Sequence, residues 1–204
     1  MRKNSTLLMT FTRNPELGKV KTRLAKGIGE KAALEVYIKL LEHTESVLRK
    51  IKTDKCIWYS VSVRENDLWS DKSYQKKKQI GTDLGERMLH AFQDAFQNNY
   101  EKVIIIGSDL FDLQPKHIEQ AIEALDTNDV VIGPAQDGGY YLLGMKTLHE
   151  KAFVPKNWGT ETVLADTLND LDNQTIHLLE TLNDIDHAED LVPYETFKKY
   201  LHKK

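Results

Sequence analysis

The run Val103-Ile104-Ile105-Ile106 leads directly into Gly107-Ser108-Asp109. Four consecutive apolar β-formers are what a strand covered on both faces needs, so the chain must build a sheet with layers on either side. The glycine, serine and acid then put a carboxylate at the strand's carboxyl end, the edge where open α/β sheets bind ligands. A lone acid at that place also serves as a turn residue or as the cap of the next helix.

The rest of the chain alternates strand and helix patterns. Thr6 to Phe11 reads as a first strand, and Lys31 to Ile51 as a long amphipathic helix with apolar residues at 33, 34, 37, 38, 40, 41, 47 and 48. Cys56 to Val63 follows as a strand, Glu86 to Phe96 as a helix, Val103 to Ile106 as the buried strand and His117 to Leu125 as a helix. Val130 to Gly133 and Tyr140 to Met145 read as two short strands. Glu161 to Leu171 reads as a helix, Thr175 to Leu179 as a strand and Ala188 to Leu201 as a closing helix. This order predicts a three-layer α/β/α domain over residues 1–204, with a mostly parallel, Rossmann-like sheet and one antiparallel excursion near 130–145. Asp67 to Gln79, with four lysines and few apolar residues, reads as a mobile surface loop.

Composition narrows the function classes. With 204 residues, 28 Lys and Arg against 31 Asp and Glu and a formal charge of −3, no global bias toward nucleic acid or anionic membrane exists, so any anion site must be local. Cys56 is the one cysteine, which excludes an intramolecular disulfide and a thiolate metal cluster and suits a cytoplasmic location. The opening Met1-Arg2-Lys3-Asn4 is basic, but the apolar segment after it is too short for a signal peptide, and no run approaches the roughly 20 residues of a membrane span.

Four loops fall at carboxyl ends of the expected strands. In the first, Arg13-Asn14-Pro15-Glu16-Leu17-Gly18-Lys19-Val20-Lys21-Thr22-Arg23-Leu24, four cations stand within eleven positions against one acid. Gly18 lets main-chain N–H groups approach a ligand, and the combination suits a polyphosphate, with a solvated basic loop as the plainer alternative. It is not a Walker A loop, and no Gly-x-Gly-x-x-Gly fingerprint occurs. The second loop, Gly81-Thr82-Asp83-Leu84-Gly85-Glu86-Arg87-Met88, enters a helix; Asp83 and Glu86 match a capping box, while the two glycines admit a flat base or a sugar. The third, Asp137-Gly138-Gly139-Tyr140, suffices as a hairpin turn. In the fourth, Asn183-Asp184-Ile185-Asp186, Asp186 is a candidate helix cap with Glu189 three residues on. Alternation in an extended segment also places Asp184 and Asp186 on one side, where two carboxylates crowd unless a cation or a proton sits between them. Together with Asp109 they suit a hard divalent cation facing the basic loop.

Taken as a set, these motifs resemble the glycosyltransferase-A-like, nucleotide-diphospho-sugar transferase group. The match is nearest to the rSAM/selenodomain-associated transferase 1 family, which is also linked to arsenosugar-biosynthesis glycosyltransferases. It is carried by Phe11 to Pro15, Gly18 to Leu24, Asp83 to Met88, Gly107 to Asp109, Gly133 to Tyr141, Trp158 with Thr160, and Asp184 to Asp186 with Glu189 to Leu191. A more distant similarity runs to the 2-phospho-L-lactate guanylyltransferases and the molybdenum-cofactor nucleotidyltransferases. The resemblance implies Mg²⁺ or Mn²⁺ on Asp109, Asp184 and Asp186. It further implies nucleotide phosphates on Arg13, Lys19, Lys21 and Arg23, the nucleotide beside Leu84, Gly85 and Arg87, and the second substrate toward Asp137, Gly138, Gly139 and Tyr140. Lys21, Arg23 and Asp109 would carry the chemistry. The pattern departs at one place: Leu110 and Phe111 stand where the family has a small residue and a proline, which frees the φ that proline would fix.

Under either transferase reading, the metal, lysine and arginine stabilise charge on the phosphate-containing leaving group. Glycosyl transfer from a nucleotide sugar to a small acceptor releases a nucleoside diphosphate. Nucleotidyl transfer from a triphosphate releases pyrophosphate. A non-catalytic nucleotide-binding protein is the third reading, since a retained fold does not guarantee a retained reaction.

Overall fold

The computed structural model describes residues 5–201, so the basic opening Met1 to Asn4 lies outside the described residues. β1 (Thr6–Thr12), β2 (Asp54–Tyr59), β3 (Gln75–Lys78), β4 (Lys102–Ile106), β5 (Val130–Pro134), β6 (Tyr140–Met145) and β7 (Ile176–Leu178) form one sheet in the order β3-β2-β1-β4-β6-β5-β7. All neighbouring pairs are parallel except those of β6, which runs antiparallel to both β4 and β5.

The helices are α1 (Thr22–Ile28), α2 (Glu30–Leu48), α3 (Leu84–Gln97), α4 (Pro115–Thr127), α5 (Val163–Asp170) and α6 (Lys198–Leu201). Alternation along the strands explains the layers. Ile104 and Ile106 face one side with Leu8 and Ile57, against Tyr37 and Leu41 of α2 and Ile118 and Leu125 of α4. Val103 and Ile105 face the other with Leu7, Met9 and Trp58, against Met88 and Phe92 of α3 and Phe153. Each of these four β4 side chains is buried, and each contributes about 1.5–3 kcal/mol by leaving water. A third cluster joins Leu24 of α1 and Val36 and Leu40 of α2 to Ile185, Leu191, Phe197 and Tyr200. Among the described residues no helix is long and apolar enough to cross a membrane.

Several expectations are corrected. Asp67 to Gln79 is not a loose loop: Trp69 and Tyr74 are buried, and Gln75–Lys78 pairs with β2 as an edge strand. Its lysines find local acids. Lys76 Nζ lies 3.0 Å from Asp67 and 2.8 Å from Asp71, and Lys77 pairs with Asp94. The end of the first loop, Thr22 to Leu24, opens a two-turn helix that runs to Ile28. β2 ends at Tyr59 rather than Val63, because buried Asn14 captures the outgoing chain through Val61 N to Oδ1 at 3.1 Å and Nδ2 to Ser62 O at 2.8 Å. The closing helix is broken into 3-10 turns at Glu189–Leu191 and Glu195–Phe197 before α6, with Pro193 between them unable to donate to a continuing helix.

Candidate functional site

β1 is flanked by β2 and β4, both parallel to it, and the chain crosses over in opposite directions on the two sides, which opens a crevice at the carboxyl ends of β1 and β4. The basic loop lines that crevice and is pinned from within. Arg13 N donates to Tyr37 Oη at 2.9 Å, and the same hydroxyl lies 3.2 Å from Thr12 Oγ1 and 3.4 Å from Ser108 Oγ. One tyrosine of α2 thus fastens the first loop to the ends of both strands.

The acids arrive from two places. Asp109 follows β4, and its carbonyl accepts from Ile185 N at 3.1 Å. Ile185 is fully buried against α1 and α2, so its neighbours Asp184 and Asp186 emerge together beside Asp109, each of the three offering a carboxylate oxygen within 4.8 Å of the others. Lys21, whose backbone sits at φ 46° before α1, inserts between two of them. Its Nζ lies 3.0 Å from Asp109 Oδ2 and 2.8 Å from Asp186 Oδ1 with 6% side-chain exposure, and Arg23 Nη1 adds a contact of 3.3 Å to Asp186 Oδ2. Asp186 is therefore not a helix cap. The turn that follows has Ala188 at its N-cap with no side-chain cap, and Asp190 within it reaches back to accept from Asp186 N at 2.9 Å and His187 N at 2.6 Å.

The charges are unevenly matched. Burial disfavours the Lys21 ammonium, but Asp109 and Asp186 outweigh it and hold the group charged above the ordinary lysine range. Burial likewise opposes ionised Asp186, yet Lys21 and Arg23 keep its carboxyl below the usual value. For Asp184, burial and the neighbouring Asp109, Asp137 and Asp186 push the carboxyl up to about 7, with Lys21 offsetting only part. Three convergent carboxylates, one short of a counter-charge, fit a hard divalent cation. A raised carboxyl pKa costs stability as pH rises, because the folded state then holds a proton that the unfolded state has lost. Asp184→Asn should therefore leave metal-free stability unchanged near pH 4 and raise it by about 1–2 kcal/mol at pH 8. Melting curves across that range test it, and equal melting temperatures at pH 8 would count against the crowding.

The crevice divides into two clefts that meet at the acids. The larger, about 680 Å³, is lined by Arg13, Lys19, Lys21, Arg23 and Arg87, with Gln79, Asp83 and Asp186. The smaller, about 160 Å³, is lined by Asp184, Gly139, Tyr140, Trp158, Thr160 and Val163. Leu84, Asp109 and Asp137 border both.

The sequence profile of DUF2064, described as uncharacterized proteins conserved in bacteria, matches residues 41–160. The chain belongs to the DUF2064 family. This DUF2064 member superposes with a TM-score of 0.86 on a candidate nucleotide-diphospho-sugar transferase from Desulfovibrio desulfuricans G20, at 32% identity over 96% of this chain and 88% of that one. It is 26% identical over 135 residues to the 2-phospho-L-lactate guanylyltransferase of Methanocaldococcus vulcanius, a match covering 64% of this chain and 58% of the relative. The 4-diphosphocytidyl-2C-methyl-D-erythritol synthase of Anaerococcus prevotii shares the fold, with a TM-score of 0.63 at 11% identity over 96% of this chain and 95% of that one.

Within the DUF2064 chain, most of the residues singled out from the sequence meet at the two clefts, and three do not line either. Gly18 turns at φ +70° against the Glu30 carboxylate. Gly85 lies under the Trp158 ring, where a Cβ would come within 2.5 Å of Cζ2. Gly138 packs on the backbone of Glu161. Tyr140 reaches the smaller cleft but turns its hydroxyl toward Met88 Sδ at 4.0 Å. Asp83 caps α3 by accepting from Glu86 N at 2.8 Å, while Glu86 turns to Thr82 N at 2.7 Å, so only half of the capping box forms. The Leu110-Phe111 departure is absorbed by packing. Leu110 is 1% exposed in the core, and Phe111 stacks among His43, Tyr194 and Phe197 with centroids 4.7–5.1 Å away. Sequence reading missed Tyr37 and Gln79. Gln79 lay in the stretch read as loop, and its Nε2 donates to Trp58 O at 2.9 Å.

Proposed function

We propose that this DUF2064 member is a divalent-metal-dependent transferase that holds a nucleotide-activated donor in the larger cleft and passes a glycosyl group to a small acceptor in the smaller one. The convergence of Asp109, Asp184 and Asp186 with Lys21 at the junction of the two clefts carries this reading. These acids would hold Mg²⁺ or Mn²⁺, which supplies Lewis-acid polarisation and charge neutralisation at the diphosphate when bound. Lys21 and Arg23, beside the same point, would stabilise negative charge on the departing phosphate, and Arg13 and Lys19 would orient it. The Tyr37 anchor keeps the loop in place before any ligand arrives, so little reorganisation accompanies binding. Nucleotidyl transfer is the second reading, supported by the density of cations in the larger cleft and by the guanylyltransferase relative. The similarity to the Desulfovibrio protein and the resemblance to rSAM/selenodomain-associated transferases favour the glycosyl reading. The reading includes a cytoplasmic enzyme of small molecules, with no nucleic-acid partner.

A thermal-shift screen of nucleotides and nucleotide sugars, with and without Mg²⁺ or Mn²⁺, tests the reading. Ligand at 100 times its Kd adds about 2.7 kcal/mol, which for a chain of this length is a rise of about 5–10 °C. No metal-dependent shift with any nucleotide at millimolar concentration would sink it. Asp109→Asn should weaken metal-dependent nucleotide binding at least tenfold, about 1.4 kcal/mol, and unchanged affinity would remove Asp109 from the metal. Release of pyrophosphate on adding a phospho-acid acceptor to a triphosphate would favour nucleotidyl transfer over glycosyl transfer.

A further inference from the structure

The two clefts differ in charge, and the difference selects what each accepts. The larger is rich in arginine and lysine. The smaller is bordered by Asp109, Asp137 and Asp184 and otherwise by apolar, aromatic and hydroxyl groups, and among the described residues no lysine, arginine or histidine lines it. Neighbouring cations are already matched. Lys21 is held by Asp109 and Asp186, and Lys156, 5.2 Å from the Trp158 ring, is 4% exposed and bound by Asp170 Oδ2 at 2.6 Å. Even a divalent ion shared by Asp109, Asp184 and Asp186 leaves Asp137 in the lining of the cleft, where its Oδ1 accepts from Gly139 N at 2.8 Å and no cationic side chain among the described residues pairs with it.

A phosphate or carboxylate entering this space meets like charge and finds no cationic side chain. Hydroxyl groups meet the opposite situation, since carboxylates accept from them and the apolar face of a sugar ring packs on tyrosine and tryptophan. At about 160 Å³ the space is well below the roughly 300 Å³ at which sites for drug-sized ligands begin, so it suits one small ring. Resting on the transferase reading above, we infer that the smaller cleft takes an uncharged, hydroxyl-bearing group of monosaccharide size and disfavours phospho-acids and carboxylic acids through Asp137, the carboxylate that a metal on Asp109, Asp184 and Asp186 leaves unmatched. Selectivity of this kind works by repulsion, with the wrong partner refused by charge. It separates this chain from the Methanocaldococcus relative, whose name specifies 2-phospho-L-lactate.

Matched acceptors test the inference. Calorimetric titrations of the protein saturated with UDP or GDP and Mn²⁺ would compare glucose with glucuronate and mannose with mannuronate, members of each pair differing only by a hydroxymethyl against a carboxylate. The uronates should bind at least tenfold more weakly than their neutral counterparts, Asp137→Asn should narrow that gap at least threefold, and 2-phospho-L-lactate should show no binding to the protein saturated with GTP and Mn²⁺. Uronates binding as tightly as the neutral sugars, a gap unchanged in Asp137→Asn, or phospholactate binding below millimolar Kd would overturn the inference while the transferase reading stands. Failure of ADP, CDP, GDP, TDP and UDP alike to bind with Mn²⁺ would overturn that reading, and the inference with it.

Discussion

Replacing Lys21 by methionine is expected to lower the melting temperature of the metal-free protein by about 5–10 °C, with millimolar Mg²⁺ restoring most of the loss. The ammonium is the counter-charge of Asp109 and Asp186, at 3.0 and 2.8 Å. Removing one partner of a buried ion pair costs about 3–5 kcal/mol because the other charge is left unmatched. The two carboxylates keep 35% and 30% of their side-chain surface, so water screens part of that penalty. About 2–3 kcal/mol remains, and each kcal/mol is worth about 2–4 °C at this chain length. The effect must also depend on pH. Asp186 is held below its ordinary pKa, so its contribution is present at neutral pH and disappears as pH falls through the carboxylate range. Below about pH 3 the variant and the wild type should converge. A melting temperature within 1 °C of wild type at pH 7 would mean that the pair is not holding the acids together.

Gly138→Ala is expected to cost about 2–4 kcal/mol, through a contact that has no room to give. Gly138 sits at φ +88°, and a Cβ there would lie 2.2 Å from Glu161 O and 2.5 Å from Glu161 Cα. Both are backbone atoms, so relief requires the hairpin turn and the Gly159 to Glu161 segment to part, breaking the bond from Leu164 N to Gly138 O at 2.9 Å. Overpacking of this kind costs about 1–3 kcal/mol, and the left-handed backbone about 1 more. Gly159→Ala separates the two contributions, since Gly159 has φ +81° and nothing within 4 Å of the added Cβ. It should cost only the backbone share. Equal destabilisation of the two variants by thermal melting would show that the Glu161 contact carries no weight.

Much of the fold could be read from residue order because its signals are local. Val103 to Ile106 is apolar at every position and is buried on both faces, and the β5–β6 pair appears where two short apolar runs flank Asp137-Gly138-Gly139. The edge strand Gln75–Lys78 was invisible for the opposite reason. Its lysines read as solvated, and only the folded chain brings Asp67, Asp71 and Asp94 to meet them. The same limit applies at the site. The common side of Asp184 and Asp186 follows from alternation about Ile185, but that Lys21, 165 positions away from Asp186, would be the cation between acids depends on tertiary folding. That Asp186 does not cap the following turn has the same origin, since its carboxylate is drawn to Lys21 and Arg23 while Ala188 takes the N-cap position.

The reversal of β6 has a consequence for how such a site diversifies. A parallel strand reaches the ligand edge with its end, and the chain must then enter a long crossover tied to the core. β6 reaches that edge with its beginning, so the tip of a hairpin, Asp137 to Gly139, supplies one border of the smaller cleft, and the segment at Trp158 to Thr160 supplies another. Neither piece belongs to the crossovers that carry Lys21 and Asp109. A turn can lengthen, shorten or change its charge without altering strand order, so the border of the smaller cleft can vary while the strands that lead to Lys21 and Asp109 stay in place. On the proposed reading, two DUF2064 chains with the same basic loop and the same acids would serve different acceptors through changes in a handful of turn residues.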